Sequence, residues 1–217
     1  MAQYTLVIGN KAYSSWSMRP WLLMKQAGIA FDEIRIALYQ DGHAEKIRAH
    51  SPAGRVPVLR DGDITVWDSL AICEYLAERH AEKNLWPRDA AARAHARAVS
   101  AEMHAGFAAL RSNMGMNVRR SFPGVGRMPE VEKDIARIEQ LWNDCLQRHG
   151  GPFLFGAFSV ADAMYAPVAT RFRTYAVELG ADAQRYAAML LELPAVRAWY
   201  ADAAAEIEVL PQFEDRR

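Results

Sequence analysis

The segments at residues 51–59, SPAGRVPVL, and 67–72, WDSLAI, decide how the first part of this chain folds. Between them, apolar residues stand on either side of Asp61-Gly62-Asp63, a sequence that is typical of a hairpin turn. Asp68 and Ser69 follow the second apolar run, and such side chains accept hydrogen bonds from the free amides at a helix start. The stretch therefore predicts two antiparallel strands that lead directly into a helix.

Upstream of this stretch, short apolar runs alternate with a helical pattern. Residues 4–8 and 31–37 are candidate strands, and residues 18–27 between them have the apolar spacing of a helix. Gly28 is suited to end that helix, because glycine readily adopts the left-handed conformation that follows a last turn. A strand, a helix and a strand in this order form a parallel pair. Together with the hairpin they predict a mixed four-stranded sheet.

Downstream, the chain becomes rich in Ala, Arg, Glu and Met and shows no convincing strand. We predict helices over residues 89–111 and 130–147, joined by a loop rich in glycine and proline. Ser159 and Asp162 have the spacing of a capping box, in which both side chains satisfy free amides at a helix start. This spacing favours a structural role for Asp162 over a catalytic one.

These patterns divide the chain into two folded parts. The first mixes strands and helices, and the second is all-α. At 217 residues the chain is long enough to bury a core in each part. We expect an α/β domain over residues 1–80, a linker over residues 81–88 and a helical bundle over residues 89–217.

The composition excludes several kinds of partner. Lys and Arg together number 26, as do Asp and Glu, so no overall field attracts nucleic acid or an anionic membrane. No stretch is long and apolar enough to span a bilayer, and the first residues do not have the pattern of a signal peptide. The two cysteines and six histidines lack the spacing of a disulfide framework or a metal site. We expect a cytoplasmic protein.

Two elements of the first part have features of a binding site. Pro57 starts a strand, which indicates an edge or a special backbone conformation where Val56 can pair with an extended peptide. Asp68 and Ser69 start a helix, whose amides favour a carboxylate, while the Asp68 side chain can accept from an ammonium group. An edge proline and a helix cap explain each element separately. Their closeness around one hairpin favours a joint site for a ligand that carries both groups.

A third element is the polar loop at residues 13–19, YSSWSMR. A hydroxyl near helix amides can donate a hydrogen bond to a thiolate and so lower the pKa of the thiol. The serines can equally cap the following helix, and we expect this role for at least two of the three.

In this order, the three elements resemble the cytosolic glutathione transferase family, whose fold joins a thioredoxin-like domain to a helical domain. The resemblance covers the whole chain. It implies that Val56 pairs with the cysteinyl backbone of glutathione, that Pro57 follows a cis bond, and that Asp68 and Ser69 hold the γ-glutamyl end. The polar loop looks most like the serine-type members, above all the zeta class with its Ser-Ser-Cys. Ser14 then matches the thiolate-stabilising serine.

Trp16 departs from this pattern, because it stands where the zeta class has cysteine. The departure leaves glutathione binding as an expectation but weakens the expectation of zeta-type maleylacetoacetate isomerase activity. Ser14 and Ser15 are the candidate catalytic residues, and His43 or Lys46 is a candidate for the glycyl carboxylate. Further residues are candidates for either an apolar pocket or the core: Met103, Phe107, Met114 and Met116.

The resemblance implies an enzyme that transfers glutathione to a small apolar electrophile, as in detoxification, and that forms a homodimer. Glutathione-dependent isomerisation and peroxide reduction are alternatives, since both begin with the same thiolate. A binding protein that keeps the fold without efficient catalysis is a further alternative, because a fold does not determine a function.

Overall fold

A computed structural model describes residues 2–214 of the protein, and its first part contains a sheet of four strands. The strands are β1 (Tyr4–Ile8), β2 (Phe31–Arg35), β3 (Val58–Asp61) and β4 (Ile64–Trp67). Their order is β2-β1-β3-β4. β1 and β2 are parallel, and the β1–β3 and β3–β4 pairs are antiparallel. The predicted mixed four-stranded sheet is therefore confirmed.

Three α-helices accompany this sheet: α1 (Ser15–Gln26), α2 (His43–Arg48) and α3 (Ser69–Arg79). Ser14 caps the start of α1, and Gly28, with a φ of +64°, follows its end as expected. Asp68 precedes α3 as its cap and has a positive φ of 76°. The starts of α1 and α3 thus both carry side chains that the sequence marked as candidate site residues.

Helices form the second part within the described residues: α4 (Ala90–Ala105), α5 (Ala108–Asn113), α6 (Pro129–His149), α7 (Val160–Thr174), α8 (Ala181–Glu192), α9 (Pro194–Ala204) and α10 (Pro211–Glu214). The prediction of one helix over residues 89–111 is wrong, because Phe107 adopts a left-handed φ of 58° and separates α4 from α5. Gly106 permits this break, since a Cβ there would lie only 2.7 Å from the carbonyl oxygen of Glu102.

One hydrophobic core extends through both parts. Helix α1 packs against α3 in its own part and against α7 in the second part. Trp21 of α1 meets Trp199 of α9 edge to face, with ring centres 5.1 Å apart, and both side chains are buried. Because α1 is packed on both sides, the residues at its start lie at the junction of the two parts.

The capping box at the start of α7 is formed as predicted. Asp162 is fully buried and accepts hydrogen bonds from the amides of Leu154 and Ser159 and from the hydroxyl of Tyr186. These donors satisfy the buried carboxylate, which agrees with the structural interpretation of Asp162.

Candidate active site

Two neighbouring cavities lie at the junction of the two parts, with volumes of about 440 Å³ and about 500 Å³. They share Trp16, Arg55 and Val56, so one extended ligand can reach from the first cavity into the second. The candidate residues are distributed between them. Val56, Pro57, Asp68 and Ser69 line the first cavity, and Ser14, Ser15, His43 and Val56 line the second.

Asp68 presents its two carboxylate oxygens to different partners. Oδ1 accepts hydrogen bonds from the amides of Leu70 and Ala71, at 2.9 and 3.1 Å, and so caps α3. Oδ2 lies 3.2 Å from Nε2 of His104, which α4 brings from the second part. Burial lowers the pKa of His104; the negative charge of Asp68 opposes this shift, and the positive charges of Arg19 and Arg111 reinforce it. A neutral imidazole leaves the Asp68 carboxylate able to bind a cationic group.

The turn before β3 places Val56 beside both cavities. Its peptide bond to Pro57 is cis, as the resemblance implied. The hydroxyl of buried Ser51 accepts a hydrogen bond from the amide of Arg55 at 3.1 Å and holds the turn. The sheet pairing begins only at Val58, so the backbone of Val56 lies outside the ladder. It is thereby placed where an extended peptide can pair with it.

The three serines near the start of α1 have different partners. Ser14 Oγ accepts from the amide of Ser17 at 3.4 Å and donates to Ser17 Oγ at 2.8 Å. Ser17 is fully buried and also accepts from the amide of Gly9, at 3.1 Å. Ser15 Oγ instead accepts from Arg171 of α7 at 3.1 Å. Ser17 is therefore structural, whereas Ser14 and Ser15 reach the second cavity.

Trp16 forms the wall between the cavities, and charged side chains hold its indole. The guanidinium carbons of Arg19 and Arg111 lie 4.3 and 4.8 Å from its ring centres, within the range of cation–π contacts. The ring of His104 meets the indole edge on at 5.3 Å. Trp16 is thus held from several directions at the border that the two cavities share.

Arg111 and Arg171 line the second cavity, and Arg19 lies against Trp16, which borders both cavities. Arg19 is buried, and its Nη1 donates to Ser69 Oγ at 3.4 Å. Burial and repulsion by Arg111 and Arg171 lower the pKa of Arg19 to about 9, and burial also lowers the pKa of Arg111. Like charges held together in this way make the cavity favourable for an anion.

The lining of the second cavity also includes aromatic and apolar groups and an imidazole. Tyr39, Phe213 and Met116 line it, together with His43 at the start of α2. His43 Nδ1 lies 2.7 Å from the carbonyl oxygen of Gln40. Its other ring nitrogen remains the candidate for a glycyl carboxylate.

The predicted apolar pocket is only partly observed. All four candidates belong to the hydrophobic core, and Met116 also lines the second cavity. Phe107 is buried at the break between α4 and α5.

The segment after α9 crosses the loop that precedes Ser14. The carboxylate of Glu206 accepts hydrogen bonds from the amides of Lys11 and Ala12, at 2.6 and 3.0 Å. The hydroxyl of Tyr13 donates to Glu214 at 2.6 Å, and its ring stacks on Phe213 with centres 5.3 Å apart. Residues 206–214, the C-terminal strap, therefore fix the backbone that leads into the serines.

Sequence reasoning missed the residues that α4, α5 and α7 bring to the site, namely His104, Arg111 and Arg171. Each stands inside a helical pattern with no local signal of function, since its role depends on tertiary convergence. Arg19 offered a weak signal, because it is a charged residue among apolar ones in α1. A charged residue in such a pattern usually lies on an exposed face of the helix, and only the packing of α1 on both sides shows that Arg19 is buried.

Comparison with known families matches both parts of the chain. Residues 13–79 match the family described as glutathione S-transferase, N-terminal domain, and residues 90–202 match glutathione S-transferase, C-terminal domain. Maleylacetoacetate isomerase of Rattus norvegicus is 30% identical over 169 residues, which is 76% of this chain and 76% of that protein. Glutathione S-transferase Z1 of Arabidopsis thaliana is 29% identical over 155 residues, 64% of this chain and 67% of that protein.

A solved structure has the same fold. A glutathione transferase homologue from Burkholderia gl BGR1, crystallised with bound glutathione, superposes with a TM-score of 0.71 at 22% identity, over 94% of this chain and 99% of that one. The fold with a thioredoxin-like and a helical part is thereby confirmed. Taken with the two family matches and the zeta-class relatives, these likenesses show that the chain belongs to the glutathione S-transferase family, nearest to the zeta class.

Proposed function

We propose that this protein is a glutathione-dependent enzyme that uses the thiolate of glutathione to attack a small electrophile. Membership of the glutathione S-transferase family makes glutathione the co-substrate. The observation that carries the proposal is the pair of cavities joined at Val56 and Trp16. The first offers a carboxylate and helix amides to the γ-glutamyl end, and the second offers serine hydroxyls to the sulfur.

The chemistry at the second cavity requires an ionised thiol near neutral pH. The hydroxyls of Ser14 and Ser15 and the start of α1 provide donors to a thiolate, and nearby arginines add positive charge. Each of these effects favours the anion over the neutral thiol and so lowers the thiol pKa. The thiolate is the nucleophile in transfer, in isomerisation and in peroxide reduction alike.

A second candidate function is glutathione-dependent isomerisation. Relatives from rat, mouse and Caenorhabditis elegans are named maleylacetoacetate isomerases or probable ones. Arg111 and Arg171 line the second cavity beside Met116 and Phe213, so an electrophile with a carboxylate suits this wall better than a purely apolar one. This arrangement favours an acidic co-substrate over the small apolar electrophile expected from the sequence.

Glutathione binding is tested with Asp68→Asn. Asparagine keeps the helix cap but removes the negative charge that faces the ligand ammonium. Because a hydrogen bond to a charged group contributes about 1.5–3 kcal/mol, we expect the Kd for glutathione to rise at least about tenfold. Isothermal titration calorimetry measures this change. Cysteinylglycine, which lacks the γ-glutamyl group, should bind the variant and the wild type equally.

Asp89→Asn is the matched control, because Asp89 caps α4 in the same way but lies outside both cavities. It should leave the Kd unchanged. No binding of glutathione to the wild type would refute the proposal. Binding without turnover of any electrophile, peroxide or cis-enone, maleylacetoacetate included, would instead favour the non-catalytic binding protein.

Homodimer formation stays a prediction of the family resemblance, and a cytoplasmic location stays a prediction of the sequence pattern. Among residues 2–214, none of the helices has the length and apolar character needed to cross a membrane.

A further inference from the structure

The hydroxyl protons of the serines at the start of α1 are not equally available. Ser14 donates its proton to Ser17 Oγ and accepts from the Ser17 amide, so both of its hydrogen bonds serve the helix start. Ser15 accepts from Arg171, and among the described residues no acceptor takes its own proton. Ser15 is 7% exposed and lines the second cavity. Its hydroxyl can therefore donate to a ligand without breaking an existing bond.

Arg171 holds the oxygen of Ser15 through a rigid set of contacts. Its Nε donates to the carbonyl oxygen of Met114 at 2.9 Å, and Nη1 donates to that of Pro167 at 3.3 Å. Nη2 then points at Ser15 Oγ, 3.1 Å away. The side chain is 4% exposed, so the guanidinium charge acts through a poorly screening interior. A cation that donates to a hydroxyl oxygen draws electrons from it and makes the O–H a stronger donor.

Other charged and titratable groups also face the second cavity. Tyr13 and His43 line it from the first part, Arg55 from the turn before β3, and Arg111 from α5. Arg19 lies close by, beyond Trp16. Asp68 and His104 face the first cavity from α3 and α4. Apart from Arg171, none of these groups contacts the Ser15 hydroxyl in the described residues, so Arg171 is its specific partner.

We infer that Ser15, polarised by Arg171 of the second part, donates the hydrogen bond that stabilises the glutathione thiolate, while Ser14 serves mainly as the cap of α1. This division deepens the proposed function and rests on it. In the step concerned, the thiol releases its proton to solvent water and the Ser15 O–H forms a hydrogen bond to the sulfur anion. Ser15 is a catalytic residue in this assignment, and Arg171 is a positioning residue that acts through it.

The decisive measurement is the ionisation of enzyme-bound glutathione, followed by the ultraviolet absorbance of the thiolate as pH is varied. Ser15→Ala should lower the acid dissociation constant of the bound thiol about tenfold or more, because it removes a donor to the anion. Arg171→Gln should have an effect of similar size, and the double variant should add little to either single one. Ser14→Ala should change the constant by less than half as much on a logarithmic scale.

Two variants separate polarisation from a structural effect. Arg171→Lys keeps the cation but loses the planar fork, so it should restore part of the ionisation that Arg171→Gln loses. Arg173→Gln is the matched control, because Arg173 is exposed on the same helix and contacts Tyr200 rather than the cavity. It should leave thiol ionisation unchanged. If Arg171→Gln does not fold, Ser15→Ala and Arg171→Lys decide the question.

The inference is overturned if Ser15→Ala ionises the thiol as the wild type does while Ser14→Ala does not. It is also overturned if the effects of Ser15→Ala and Arg171→Lys on the ionisation of the bound thiol are fully additive. Additive effects would mean that Arg171 does not act through Ser15. These outcomes differ from failure of the proposed function, in which the wild type itself would neither bind glutathione nor ionise its thiol.

Discussion

At the scale of single residues, Trp16 contributes to the shape of both cavities. The indole borders both cavities, and the guanidinium groups of Arg19 and Arg111 lie within 5 Å of its ring centres, at 4.3 and 4.8 Å. Both arginines have pKa values lowered by burial, so the contact with the ring offsets part of the cost of keeping them charged. Trp16 therefore both lines the cavities and helps to keep the neighbouring arginines charged.

Replacement of Trp16 tests this role through stability. Trp16→Ala removes both cation–π contacts and the packed ring, and we expect the free energy of unfolding to fall by about 2–4 kcal/mol. Trp16→Phe keeps an aromatic face for the arginines and should cost about 1 kcal/mol. Urea denaturation with fluorescence of the remaining tryptophans measures both values. Equal losses in the two variants would show that the arginines do not depend on the ring.

At the scale of an element, the start of α7 is held by one buried carboxylate. Asp162 accepts from two backbone amides, from the Ser159 hydroxyl and from the Tyr186 hydroxyl of α8. Helix α7 packs on α1, α4 and α8, and it carries Arg171. The capping box thus fixes the helix that brings a charge to the candidate site.

Asp162→Ala leaves four buried donors without their acceptor. Each unsatisfied donor costs about 1–3 kcal/mol, and partial relaxation reduces the sum, so we expect a total loss of about 3–5 kcal/mol in the free energy of unfolding. Urea denaturation measures it. Asp182→Ala is the control, because Asp182 stands in the first turn of the neighbouring helix α8 but is exposed, and it should cost at most about 0.5 kcal/mol. A loss at Asp162 as small as that at Asp182 would contradict the structural role.

At the scale of the whole molecule, a pair of histidines joins two long helices of the second part. Nδ1 of His95 in α4 lies 3.0 Å from Nε2 of His149 at the end of α6, and Phe155 packs against both rings. Burial lowers the pKa of each histidine. Arg148 acts in the same direction on both, while Asp144 opposes it at His95 and Asp89 at His149. The folded protein therefore disfavours protonation of the pair.

The stability of the protein should depend on this pair below neutral pH. The folded pKa values lie below the unfolded value of 6.5, so the unfolded chain binds more protons as pH falls through 6.5, and the free energy of unfolding decreases. His95→Gln removes one of the titrating groups and should flatten this decrease. Urea denaturation of both proteins between about pH 5 and pH 8 gives the difference. Parallel curves for wild type and variant would contradict the prediction.

The succession of strands and helices along the chain follows from local patterns, so it was predictable from the sequence. The hairpin turn, the cap at Asp68 and the capping box at Ser159 and Asp162 are signals carried by adjacent residues. The prediction missed the break at Phe107, although Gly106 beside it is a local signal that weakens a helix.

The candidate site divides in the same way. Ser14, Val56 and Asp68 stand on elements whose starts the sequence reveals, and they line the cavities. The contact of Arg171 with Ser15 joins residues 156 positions apart, and no local pattern specifies such a pair. Sequence reasoning therefore found the half of the site that one part supplies and missed the half that convergence of both parts creates.

The C-terminal strap has a consequence for how the protein is made. Lys11 leaves the ribosome 195 residues before Glu206, whose carboxylate holds the Lys11 amide. Since domains generally fold as units during synthesis, the sheet can form long before this contact exists. The loop that leads into the serines is completed only after the helical part has been translated. A nascent chain that already carries every residue of the sheet thus still lacks a finished candidate site.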